Sequence, residues 1–253
     1  MADLATWQYP LIALLFIWGG FVRSGLGFGG AVLTLPFLLL ILDEPLVFLP
    51  LIGVHLLLFS SLTVWQSHRA DHSETTVNWA FVRWALMVMA IPKAIGVLGV
   101  ITLPGTLISG FIFSIVTLYA ISYILNRPIR SNNKIVDTGL IALGGYVSGT
   151  SLIAAPLVVP VAASRMPKEQ LRDTLFALWF ILVLVKLIAF LAAGVDMQWI
   201  HHLWLLPCAT IGHVIGLRFH DYALQRDTAL FFRVLGAGLL VVSVVGLGRL
   251  VLA

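Results

Sequence analysis

Charged residues are what this sequence has least of. Asp, Glu, Lys and Arg make up 10% of its 253 residues, against about 25% in a soluble domain, whose surface needs them to face water. With 60% hydrophobic residues and a mean hydropathy of +1.04, too little charge remains to cover a water-facing surface. A polytopic membrane protein fits, with room for about six to eight spans of roughly 20 residues each. No extended polar stretch is present, which excludes a separate soluble domain. Cysteine is reduced to Cys208, so no disulfide can form within the chain. The net charge of +4 comes without a basic run, which argues against a nucleic-acid partner and for positive membrane loops. "MADLATWQYP" has no basic residue before its apolar run and no small-residue cleavage site after it, so no removable signal peptide is expected. HExxH, Walker A, GxSxG and CxxC are all missing. "HRADH" offers His68 and His72 beside Asp71 and Glu74 but no third strong ligand in pattern, so neither a metal site nor a cofactor is expected.

What is there is a series of apolar segments: 4–42, 45–66, 79–101, 104–125, 138–164, 171–193, 199–217 and 228–252. Short loops rich in Lys and Arg stay in the cytoplasm. Arg127, Arg130 and Lys134 crowd one loop, Arg165, Lys168 and Arg172 the next, and Arg69 lies in another. Two cytoplasmic loops thus flank Thr138–Ser164, which is too short for two crossings, since these need about 40 residues. The segment should enter partway and turn at Ser148-Gly149-Thr150. The same parity, carried backwards, places the N-terminus and Asp43–Glu44 outside, and makes Leu4–Leu42 a hairpin turning at Arg23-Ser24-Gly25. The C-terminus also falls outside.

The two halves echo each other. "GGFVRSG…LPFLLL" from Gly19 matches "GGYVSG…APLVVP" from Gly144, and "PKAIGVLG" from Pro92 matches "PCATIGHVIG" from Pro207. Each half is one hairpin plus three spans, an odd number, so the copies are expected to be inverted. The predicted fold is an all-α polytopic membrane protein of two inverted repeats, 1–125 and 138–253. Each is a re-entrant or broken helical hairpin plus three transmembrane helices, and a cytoplasmic linker at 126–137 joins them. Glycine-interrupted helices at matching positions of inverted repeats are a transporter architecture, with the site near the midplane.

Ionisable residues deep in a bilayer cost at least ~2.5–3.5 kcal/mol each and need a reason. Every carboxylate lies in a loop or within a few residues of one, whereas Arg23, His55, Lys93, Lys186 and His213 lie well inside apolar segments. Buried positive groups without carboxylate partners point to an anionic substrate. Glycines allow close backbone approach, a helix start exposed by a break favours an anion, and arginine presents a planar fork suited to a sulfonate or carboxylate. Substrate contact is therefore expected from Arg23, Ser24, Gly25, Gly29 and Gly30 at the first break, from Ser148, Gly149 and Thr150 at the second, and from Lys93 and Arg172. Ser151 is a further hydroxyl donor. His55, His213 and Lys186 are candidates for proton coupling or substrate contact.

Plainer roles compete for each. Arg23 and Lys186 can snorkel to a surface, Pro92 beside Lys93 can serve only as a kink, and the histidines can be hydrogen-bonded packing residues. Arg172 stands equally well as a loop partner of Asp173. Arg83 and Arg233, near loop boundaries, read as snorkelling side chains. Trp65, Trp79, Trp199 and Trp204 read as interface anchors. Gly25/Gly29, Gly145/Gly149 and Gly212/Gly216 have the spacing of close helix contacts.

"SGLGFGGAVLTLP" (Ser24–Pro36) resembles the repeat motif SG-x-G-x-GG-x-x-L-x-x-P of the sulfite exporter TauE/SafE family. "SGTSLIAAPLVVP" keeps Ser148, Gly149 and Pro156 of the second copy but not its glycine run, and "LRDTLFALWFILVLVKLIAFLAAG" (Leu171–Gly194) is similar to the family's second-repeat helix. The resemblance covers nearly the whole chain. It implies a bacterial inner-membrane protein that moves small, often sulfur-containing anions such as sulfite, sulfoacetate or related organosulfonates. Secondary transport by alternating access, with substrate between the hairpin tips, is the expected mechanism. An anion channel, or a transporter of another carboxylate or oxyanion, is the alternative. A membrane-embedded enzyme would need an acid–base dyad or metal cluster in the spans, and the sequence offers none. The expected partners are a small anion and the lipid bilayer.

Overall fold

The computed structural model describes residues 4–26, 30–70, 77–125, 133–223 and 229–252. Every regular element among them is helical: α1 (Gln8–Leu26), α2 (Leu35–Ile41), α3 (Pro45–Ala70), α4 (Trp79–Thr102), α5 (Gly105–Ile124), α6 (Lys134–Ser151), α7 (Ala155–Ala163), α8 (Lys168–Ala192), α9 (Trp199–Ala223) and α10 (Ala229–Leu252). Six of these, α3, α4, α5, α8, α9 and α10, are long and apolar enough to cross a membrane. The two remaining pairs, α1–α2 and α6–α7, occupy the segments read as hairpins.

Local chemistry sets several of the boundaries. Proline opens α3 and stands in the first turn of α2 and α7, where its missing N–H costs no helical bond. Asn133 caps α6 by accepting from the Ile135 N–H at 2.8 Å. At the end of α8, Gly194 adopts φ 72°, its N–H donates to Leu191 O at 3.1 Å, and Val195 N–H reaches back to Phe190 O at 2.9 Å. That is a Schellman stop, and it needs a residue tolerant of the left-handed region.

The chain forms two compact units. One comprises Met1–Leu51, Leu103–Pro128 and Met197–Ala253; the other comprises Ile52–Thr102 and Ile129–Asp196. In the first, α1 runs along α9, α5 runs along α10, and α2 rests on α5 and α10. Its hairpin is tied internally by Gln8 Nε2 donating to Ile41 O and Trp18 Nε1 donating to Leu33 O, both at 3.0 Å. Arg249 of α10 donates to Leu40 O at 2.8 Å, supplying a partner for one of the carbonyls left open at the end of α2. In the second unit α6 runs along α4, and α8 packs on α4 and α7. A core of α4, α6, α7 and α8 side chains, including Met89, Ile141, Val158 and Leu178, fills it. The compact units therefore cut across the sequence halves: each joins a hairpin from one half to a long helix from the other.

The turns fall later than the sequence suggested. The expected break at Ser148-Gly149-Thr150 is helical, and the chain reverses only at Leu152, whose φ of 62° is left-handed, before α7 begins. Thr150 and Ser151 satisfy their hydroxyls within the helix by donating to Val147 O at 3.1 and 2.9 Å. Likewise α1 runs through Arg23, Ser24 and Gly25 to Leu26. The glycines serve contact rather than a turn. A Cβ at Gly145 would lie 2.9 Å from the Met89 backbone of α4, and one at Gly216 would lie 3.0 Å from Gly25 N on α1. Missing side chains let helix backbones touch, as small-residue spacings do in membranes.

One buried charge has a local purpose. Asp137, 5% exposed, is bonded at 2.7 Å by Arg165, whose guanidinium also lies 4.2 Å from the Trp84 ring centre. The pair ties α6 to the segment after α7. Asp137→Asn should lower stability by an amount between the ~0.2–1 kcal/mol of an exposed pair and the ~3–5 kcal/mol of a buried one. Thermal unfolding in detergent checks this; an unchanged midpoint would show the pair to be energetically idle.

Candidate substrate site

In the second unit the site begins with the buried stripe of α4: Met89, Lys93, Gly96, Val97 and Val100. This spacing of three and four residues puts them on one helix face, and that face meets α6. Because Gly96, Gly145 and Gly149 let the two backbones touch, Lys93 is brought to the last turn of α6. Its Nζ donates to Ser148 Oγ at 3.1 Å. Lys93 is 4% exposed and Ser148 2%.

Lys186 of α8 completes the group. It is fully buried, so it does not snorkel, and its Nζ stands 5.2 Å from the Phe190 ring centre. A ring face attracts a cation but satisfies none of its N–H donors. Among the described residues, Lys186 Nζ has no hydrogen-bond partner, and it lies close enough to Lys93 for the two ammonium groups to interact electrostatically. The described ion pair of this unit, Arg165–Asp137, involves neither lysine. Two lysine side chains and a serine hydroxyl are held in apolar surroundings, chemistry suited to an anion's oxygens.

Arg172 is not part of that group. It stands fourteen positions before Lys186 on α8, about 21 Å along the helix axis, with its guanidinium 5.9 Å from the Phe176 ring centre. Gly149 lines the α4–α6 contact, and Thr150 and Ser151 spend their hydroxyl hydrogens on the α6 backbone. His55 is buried at 1% exposure on α3.

The first unit gathers the other candidates. Arg23 and Ser24, 8% and 2% exposed, occupy the last turn of α1. Ser24 Oγ lies 2.5 Å from Nδ1 of His213 on α9. Gly25 faces Gly216, and Gly30 lets the returning chain lie on α1, since a Cβ there would come within 2.9 Å of Arg23 Cβ. Gly29 lies outside the described residues, as do His72 and Glu74. Arg83 and Arg233 are exposed, in keeping with snorkelling, and Trp65, Trp79 and Trp199 are more than half exposed at the ends of their spans.

Sequence reasoning missed the partners: Lys93 with Ser148, Ser24 with His213, and Asp137 with Arg165. They are separated by 55, 189 and 28 positions, and no local pattern signals such pairs.

Among the described residues, six helices long and apolar enough to cross a membrane, with two helical hairpins beside them, define a multi-pass membrane protein. Residues 11–247 match the family described as sulfite exporter TauE/SafE, and the chain belongs to that family. Among curated proteins and among solved structures, none matches it.

Proposed function

We propose that this protein is a secondary transporter that exports small sulfur-containing anions, such as sulfite, sulfoacetate or a related organosulfonate, across the bacterial inner membrane by alternating access. The observation that carries the reading is the Lys93–Lys186 pair, two buried cations within electrostatic reach of each other and outside the described ion pair. Desolvated like charges are costly, and a bound anion offsets both the repulsion and the lost hydration. Lys93 and Ser148 then supply charge-assisted and hydroxyl hydrogen bonds to its oxygens. With no ATP-binding motif in the sequence, the driving force is an ion or solute gradient.

The inverted-repeat reading has its own support. Ser24 and Ser148 each stand in the last turn of a hairpin's first helix. Each is bonded to a side chain on a long helix from the other half of the sequence, and each is followed by a glycine packed on a second glycine. Such matched construction is what oppositely oriented copies of one unit produce.

Proteoliposome uptake of labelled sulfoacetate tests the proposal. Lys93→Ala is expected to reduce uptake roughly tenfold or more, the scale of a lost hydrogen bond to a charged group, while insertion is retained. Wild-type rates in this variant would remove Lys93 from the site. Saturable counterflow is expected of the wild type; large passive currents would instead make it a channel.

A further inference from the structure

The site of the second unit holds two lysines where one would serve a singly charged anion. Lys93 Nζ donates to Ser148 Oγ at 3.1 Å. Lys186 is fully buried on α8, stands 5.2 Å from the Phe190 ring centre, and has no hydrogen-bond partner among the described residues. We propose that this site selects dianions over monoanions of the same shape, with Lys186 as the residue that reads the second charge. The inference rests on the anion-transport reading above and names the charge class of the substrate at that same site.

The charge balance of the unit leads to this. A lysine amine removed from water carries its charge at tolerable cost only where an opposite charge meets it. The described carboxylates of the unit are placed elsewhere. Asp137 is bonded by Arg165 at 2.7 Å. Glu169 and Asp173 precede Lys186 on α8 by 17 and 13 positions, about 25 and 20 Å along the helix axis. Asp196 follows the end of α8. On the α3 side, Gly53 faces Leu187 of α8, and the buried titratable group of that helix is His55, which adds positive charge when protonated. A monoanion therefore brings one negative charge to two amines and leaves one of them unmatched. A dianion brings one to each, and the two lysines are within electrostatic reach of one another, close enough for one small ligand to meet both. Lys186 has the greater need, because Lys93 already has the Ser148 hydroxyl.

The test compares two probes of nearly equal shape, sulfoacetate and its carboxamide, sulfoacetamide. At neutral pH the first is a dianion and the second a monoanion. Their affinities for the purified full-length protein in detergent are measured by titration calorimetry at one pH. Wild type should bind sulfoacetate at least about tenfold more tightly, the scale of one added charge-assisted hydrogen bond. Lys186→Met should bind the two probes about equally, at the level of wild type with sulfoacetamide. A merely structural lysine would instead weaken both probes together and leave their ratio unchanged. Equal affinities in wild type overturn the dianion selectivity while leaving the transport reading intact. A wild-type preference that survives in Lys186→Met overturns the assignment to this residue. Failure of wild type to bind either probe overturns the transport reading and the selectivity together.

Discussion

Lys186→Met is expected to raise the thermal stability of the protein and at the same time abolish anion transport. The two effects follow from one fact: the Lys186 amine is fully buried, hydrogen-bonded to nothing among the described residues, and within electrostatic reach of Lys93, so carrying a charge there is costly. Methionine has nearly the same length, keeps the contact with Phe190, and removes the charge. Replacing buried charge by an apolar group of similar volume is often stabilising, by about 1–4 kcal/mol. A structural lysine would behave differently, because its loss would cost stability and leave transport intact. Unfolding curves in detergent and uptake into proteoliposomes, measured on the same preparations, separate the cases. A Lys186→Met protein that is less stable yet transports normally would refute the anion-site reading of Lys186.

Gly149→Val should abolish folding of the second unit rather than adjust it. A Cβ at this position would stand 2.5 Å from Lys93 O and 2.9 Å from Gly96 Cα, both backbone atoms that no rotamer change can move aside. Overpacking usually costs about 1–3 kcal/mol where side chains can adapt, and here two helices must separate instead. Their separation also breaks the Lys93–Ser148 bond. Gly139 on the same helix is the control: nothing lies within 4 Å of an added Cβ, so Gly139→Ala should stabilise α6 by roughly 0.5–1 kcal/mol. Size-exclusion profiles and unfolding midpoints of the two variants give the answer. A monodisperse, wild-type-like Gly149→Val protein would mean that α4 and α6 are not held in backbone contact.

The same glycines show where sequence reading runs out. A helix break and a close helix contact both require a residue without a side chain, so "RSGLGFGG" and "VSGT" are compatible with either. Only the position of the neighbouring helix separates them. At Gly149 the neighbour is α4, and the turn is displaced to Leu152. The hydroxyls of Thr150 and Ser151 read as donors at a tip and are satisfied within the helix instead. Arg172 resembles a partner for the deep lysines because it shares their charge and lies on the helix of one of them, yet its distance along α8 keeps it apart from Lys186.

What the sequence determined by itself is the solvent and the elements. A chain with 10% charged residues can fold only where most of its surface meets lipid, and the six long spans follow from the length of each apolar run, because hydropathy is a local sum, while the two hairpins rest on the parity of the positive loops. It also marked Lys93, Lys186, Arg23 and His213 as out of place, since an ionisable residue deep in an apolar run needs a partner whichever residue supplies it. Which of them meet was decided by the tertiary structure alone. Lys93 finds Ser148, and Ser24 finds His213, through glycine contacts between helices far apart in the chain. Such pairings depend on helix rotation and register, and neither is encoded in any short window of residues.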